Sequence, residues 1–189
     1  MSKNKQHEKV VKSITKYLRS ILSNDYTVIA DKDRANLLYS IQLLPDKNKE
    51  QLKIHPDIAS IKKPKRGQNA FQVDILIKKS DIPLVIIEVK SPRITSHEVI
   101  TYNSKSLKHK SIYPYLRYGM LIYNTSAIPD RVIKHGINLD FIIVLENPLS
   151  QSQEALKEVI KEQIKSAESL INALLQDIKC LYTRVNYID

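Results

Sequence analysis

Apolar positions along this chain recur at two periods. Over residues 7–22, Val10, Val11, Ile14, Leu18, Ile21 and Leu22 return at three- and four-residue steps, which predicts an amphipathic helix. Lys9, Lys12, Lys16 and Arg19 occupy much of its remaining surface. The same period governs residues 150–181, where Leu156, Val159, Ile160, Ile164, Ala167, Leu170, Ile171, Leu174 and Ile178 form one long stripe and Ser152 is a candidate N-terminal cap. Between these helices the apolar runs are short. Residues 26–29, 71–77, 84–89, 120–123 and 141–145 read as strands, the last two as interior ones. Residues 97–110 and 129–135 read as helices, the second ending near Gly136, while 34–44 fit helix and strand equally. The polar stretch 45–51 is expected to be a loop.

The segment between the second and third of these strands, residues 78–83, is too short for a helical crossover, so the two are predicted to be antiparallel neighbours. Pro92 disfavours extending the later one. The resulting order predicts an α/β domain, with a central mixed sheet flanked by helices and a long C-terminal helix. No repeat, Gly/Ser linker or Pro-rich tract divides the 189 residues, so a single domain is expected. With only three glycines and no GxGxxG or GxxxxGK, the nucleotide-binding folds have no support.

Two of the strands carry charge where a buried strand should carry none. Asp74 lies in the first, and Glu88 and Lys90 end the second. Alternation puts Glu88 and Lys90 on one face, and antiparallel pairing can bring Asp74 beside them. Two carboxylates with the main-chain carbonyl of Val89 make an all-oxygen pocket suited to Mg²⁺, with Mn²⁺ as a substitute. Such an ion would polarise a phosphodiester and lower the pKa of an attacking water, with Lys90 holding the water or stabilising charge on phosphorus. An edge hairpin with water-facing acids is the simpler account of the same letters. A second acid-x-Lys triplet, Asp177-Ile178-Lys179, falls in the long helix, where positions two apart do not share a face.

Val73-Asp74, thirteen intervening residues and Glu88-Val89-Lys90 resemble the PD-(D/E)XK nuclease superfamily, which includes type II restriction endonucleases and archaeal junction resolvases. The element order over residues 7–145 is also similar to that superfamily's core. The resemblance implies a restriction-endonuclease-like fold, with Asp74 and Glu88 as metal ligands and Lys90 as the catalytic lysine. It would cast Glu8 on the first helix as an accessory carboxylate, and it places the helix after the catalytic strand near the substrate. Val73 stands where the family has proline. A literal Pro-Asp pair occurs at Pro56-Asp57, so Asp57 competes with Asp74 as first carboxylate or serves as a further metal ligand, with His55 beside it.

Charge fits a polyanionic partner. Thirty basic against twenty acidic side chains leave a formal +10, dispersed along the chain. Lys62, Lys63, Lys65 and Arg66 form the densest basic loop, and Arg93, His97, Lys105, Lys108 and Lys110 follow the catalytic strand as candidate DNA contacts. In the run 113–118, Tyr113, Tyr115 and Arg117 combine rings and charge that could stack on bases, or the tyrosines could simply pack the core. Five scattered histidines show no metal-ligand spacing, and Cys180 as the only cysteine excludes a disulfide within the chain. The first ten residues lack the apolar core of a secretory signal and no 18-residue apolar run occurs, so a cytoplasmic protein with no membrane partner is expected.

Together these readings favour a Mg²⁺-dependent, sequence-specific endonuclease acting on double-stranded DNA and, by the resemblance, leaving 5′-phosphate ends. A structure-selective resolvase or repair nuclease is the alternative within the class. An inactive nucleic-acid-binding or interaction protein on the same fold is the alternative outside it. The terminal helix over 151–181 is longer than one face of a small domain needs, so part of it is expected to pair two subunits in a homodimer.

Overall fold

The computed structural model describes residues 3–30, 36–38, 43–45, 52–54, 70–80, 82–148 and 153–175. The chain opens with helix α1 (Lys3–Ile21), followed by β1 (Tyr26–Ala30). Short strands β2 (Asn36–Leu38), β3 (Leu43–Pro45), β4 (Leu52–Ile54) and β5 (Ala70–Gln72) come next. Then follow β6 (Ile75–Lys79), β7 (Ile82–Lys90), α2 (Ser96–Ile112), β8 (Arg117–Tyr123), α3 (Asp130–His135), β9 (Phe141–Leu145) and α4 (Glu154–Leu175).

Five strands form one mixed sheet in the order β1-β6-β7-β8-β9. The β1–β6 and β6–β7 pairs are antiparallel, and Ser80 turns the second hairpin in the left-handed region at φ 52°. The β7–β8 and β8–β9 pairs are parallel, each crossing through a helix. Strands β2 with β5 and β3 with β4 form two small antiparallel ribbons of their own. Strand β7 is the centre: Leu84 through Ile87 and Val89 are wholly buried, as a strand covered on both faces requires. Strand β9, expected inside the sheet, is its edge.

Helices cover both faces. Val10, Val11, Ile14 and Leu18 of α1 share a core with Leu156, Ile160, Ile164 and Ala167 of α4. Val99 of α2 and Val132 of α3 pack with Met120 and Ile122 in a second cluster. Helix α2 starts on a reciprocal capping box, in which Thr95 Oγ1 accepts the Glu98 N–H and Glu98 accepts the Thr95 N–H at 2.7 Å. Gly119 lies so close to the Phe141 ring that a Cβ there would overlap it.

Two boundaries differ from the sequence reading in ways that matter. The predicted strand over 71–77 is broken at Val73–Asp74: β5 pairs with β2, whereas β6 joins the main sheet. The Asp74 carboxylate takes the main-chain N–H of Val89 on the neighbouring strand, so a side-chain bond across the hairpin stands at the interruption. Along α4, Leu156, Ile160, Ile164, Ala167 and Leu175 are buried, whereas Leu174 of the predicted stripe is 46% exposed. Residues 150–152 and 176–181, which include the expected cap Ser152, lie outside the described residues.

Candidate active site

Adjacent strands bring Asp74, Glu88 and Lys90 together. The register Ile75 opposite Ile87 sets Asp74, one residue before β6, against the end of β7. Asp74 Oδ2 accepts the Val89 N–H at 2.8 Å and the Lys90 ammonium at 2.9 Å. His7 of α1 approaches the other oxygen, with Nε2 at 3.4 Å from Oδ1. Glu88 is 3% exposed. Its Oε1 accepts the Tyr118 hydroxyl at 2.8 Å, and its Oε2 lies 3.3 Å from Lys90 Nζ. Tyr102 of α2 closes one side, with Lys90 Nζ at 4.5 Å and Lys105 Nζ at 4.8 Å from its ring centroid.

The electrostatics divide the two acids. Burial pushes Asp74 up, but the hydrogen bond from His7, the Lys90 ammonium and the Val89 N–H together hold it well below the ordinary carboxylate range. Burial pushes Glu88 above its ordinary value, and the Asp74 charge adds to this, against the downward pull of Lys90, Lys105 and the Tyr118 hydroxyl. Lys90 would be lowered by burial, yet Glu88 and Asp74 raise it above a free lysine. At neutral pH Lys90 is therefore an ammonium, and of the two acids Glu88 takes a proton first.

This donor set fits a divalent cation of the hard, oxygen-preferring kind. Two carboxylates from neighbouring strands already converge on a single positive nitrogen, within 2.9 and 3.3 Å. An ion held by one or two carboxylates, keeping several waters, is the ordinary binding mode of Mg²⁺. Among the described residues no group of three or more His, Cys, Asp and Glu side chains converges, so the protein side chains offered here are these two.

Other predicted residues fare differently. Glu8 is exposed, and it is His7, its neighbour, that meets Asp74. The sequence reading passed over His7 because it belongs to no metal-ligand spacing. Lys105 reaches the site and its charge is felt at Glu88, whereas Arg93, His97 and Lys108 are exposed. Tyr113 and Tyr115 are corrected outright: at 1% and 0% exposure they form an edge-to-face pair in the core and cannot stack on a base. Arg117 and Lys110 are likewise drawn inward. Arg117 pairs with Asp140 at 3.0 Å and donates to Ser166 Oγ at 2.7 Å, and Lys110 lies 2.9 Å from Asp140. A carboxylate as enclosed as Asp140 needs such counter-charges, so the pair ties β8 and α2 to the turn before β9 rather than facing a ligand.

His55, Asp57, Lys62, Lys63, Lys65, Arg66 and Cys180 lie outside the described residues. Tyr118 also meets the site and was left unassigned by the sequence: it stood in a run of rings and gave no sign that its hydroxyl points at Glu88. No helix among the described residues is long and apolar enough to cross a membrane. The chain matches no protein-family model, no curated protein and no solved structure.

Proposed function

We propose that this chain is a Mg²⁺-dependent DNA endonuclease of the PD-(D/E)XK type, closest in kind to the type II restriction endonucleases and acting in the cytoplasm. The observation that carries this reading is the Lys90 ammonium shared by Asp74 and Glu88 from two adjoining strands. A formal charge of +10 supports a polyanionic substrate.

Asp74 and Glu88 would hold the divalent ion, with Mn²⁺ as a substitute for Mg²⁺. When bound, that ion supplies Lewis-acid polarisation of the phosphodiester and a lowered pKa for the attacking water. Lys90 would act as a cation; in the metal-free protein Glu88 and Asp74 raise it above a free lysine. Its ammonium offers hydrogen bonds to the negative charge that develops on the phosphoryl oxygens. Tyr102 limits where that ammonium can go, and Lys105 adds a second positive charge toward a phosphate. Exposed Arg93, His97 and Lys108 contact flanking phosphates. Two such chains in a homodimer would address the two strands of a duplex.

The test is incubation of the purified protein with phage, plasmid and branched DNA in Mg²⁺, Mn²⁺ or EDTA, with sedimentation to establish the oligomeric state. Discrete fragments in metal alone are the expected result. Cutting confined to branched DNA would reassign the protein as a resolvase. Metal-independent binding without cutting under any condition would leave a nucleic-acid-binding protein and overturn the enzyme.

A further inference from the structure

We infer that Tyr118 is a positioning residue for Glu88, fixing the orientation of its carboxylate so that one oxygen is directed at the cation site; this rests on the nuclease reading. Glu88 has two oxygens and the protein treats them differently. Oε1 accepts the Tyr118 hydroxyl at 2.8 Å, while Oε2 is the oxygen turned to Lys90. With that hydroxyl in place, a rotation of the carboxylate would break a buried hydrogen bond, so Oε2 is held toward Asp74 and the shared cation.

Tyr118 is itself held in place. Its side chain is wholly buried, so bulk solvent does not reach the bond. Its ring meets the His109 ring at a centroid distance of 5.4 Å. Its main-chain N–H donates to Asp140 Oδ2 at 2.7 Å. The strand geometry makes the reach possible: Tyr118 pairs with Ile86 in the parallel register, and Ile86 lies two residues before Glu88 on the same face. Tyr118 touches no substrate in this arrangement and acts through Glu88.

The experiment is Mn²⁺ binding, followed by calorimetry and by electron paramagnetic resonance, in the wild type, Tyr118→Phe, Tyr118→Leu, Glu88→Gln and the Tyr118→Phe/Glu88→Gln double variant. Both donorless substitutions at 118 are expected to weaken Mn²⁺ binding roughly 10-fold, within the range that outer partners of metal ligands command. In the Glu88→Gln background the Phe substitution should have little further effect, because the residue it acts through is already changed. Thermal melts establish that the variants are folded. Equal Mn²⁺ affinity in wild type and folded variants would overturn the inference, as would a full additional loss in the double variant. Failure of both substitutions to fold would assign the hydroxyl a structural role and overturn it too. A wild type that binds no Mn²⁺ would instead remove the metal-dependent reading on which the inference stands.

Discussion

The main-chain N–H of Val89 donates to Asp74 Oδ2 at 2.8 Å, a side-chain bond in the place a ladder bond would take. It fixes the acid at the start of β6 and breaks the strand behind it. The same oxygen accepts Lys90 at 2.9 Å, so Asp74 joins the strand end to the charged centre. Asp74→Ala is expected to lose cleavage and to cost about 1.5–3 kcal/mol, the range for a hydrogen bond to a charged group. Asp74→Asn can still accept the Val89 N–H and should cost less while remaining inactive. Urea unfolding alongside a plasmid assay checks both, and equal stability losses would contradict the role of that bond.

Lys90 neutralises two enclosed carboxylates when no divalent ion is bound. Lys90→Ala should therefore lower stability in EDTA by about 3 kcal/mol, as when one partner of a buried ion pair is removed. Saturating Mg²⁺ should restore much of that loss, because ligand binding to the folded state adds to its stability. The expected signature is a larger Mg²⁺-induced rise in Tm for the variant than for the wild type. Identical rises would show that Lys90 does not share the cation's place.

Glu88 has a carboxyl raised by burial and by Asp74. The sign of the linkage follows: its contribution to stability is present below its unfolded value and is lost as pH rises through the folded one. Burial of an ionised Glu88 therefore opposes folding, with its pairing to Lys90 as the offset. Glu88→Gln should be inactive yet as stable as the wild type or more so near pH 7, the trade expected where function requires a buried charge. Thermal melts at neutral pH with a cleavage assay test it. A marked fall in Tm would count against the assignment. Activity of the wild type should also decline on acidification as Glu88 gains its proton.

His109 is wholly enclosed, and burial lowers its pKa to about 4 from 6.5. Its folded value is depressed, so its contribution to stability is present above 6.5 and is lost as pH falls toward 4. The loss across that interval is on the order of 3 kcal/mol. His109→Phe should flatten the pH dependence of stability over the same range, read by urea midpoints from pH 7 to pH 4. An unchanged profile would place the acid sensitivity elsewhere.

Periodicity made α1, α4 and most of the sheet legible, because each buries an apolar face whose spacing is written in the letters. Glu88 and Lys90 were legible for the same reason, as charges two apart at the end of an apolar strand. The break at Asp74 was not, because it depends on a hydrogen bond to a residue fifteen positions away. His7 and Tyr118 were invisible on similar grounds: one reaches the site from the start of the chain, and the other from a parallel strand joined through α2. Tyr113 and Tyr115 misled because rings beside basic groups look the same in sequence whether they line a surface or fill a core.

Tyr118 is gripped from both ends, its amide by Asp140 and its hydroxyl by Glu88. Asp140 in turn anchors Arg117 and Lys110, residues that never meet the cleft. The two grips differ in what they ask of residue 118: the Asp140 bond uses a main-chain N–H that any residue but proline supplies, whereas the Glu88 bond needs the hydroxyl, so the scaffold would survive a change of side chain that the carboxylate would feel.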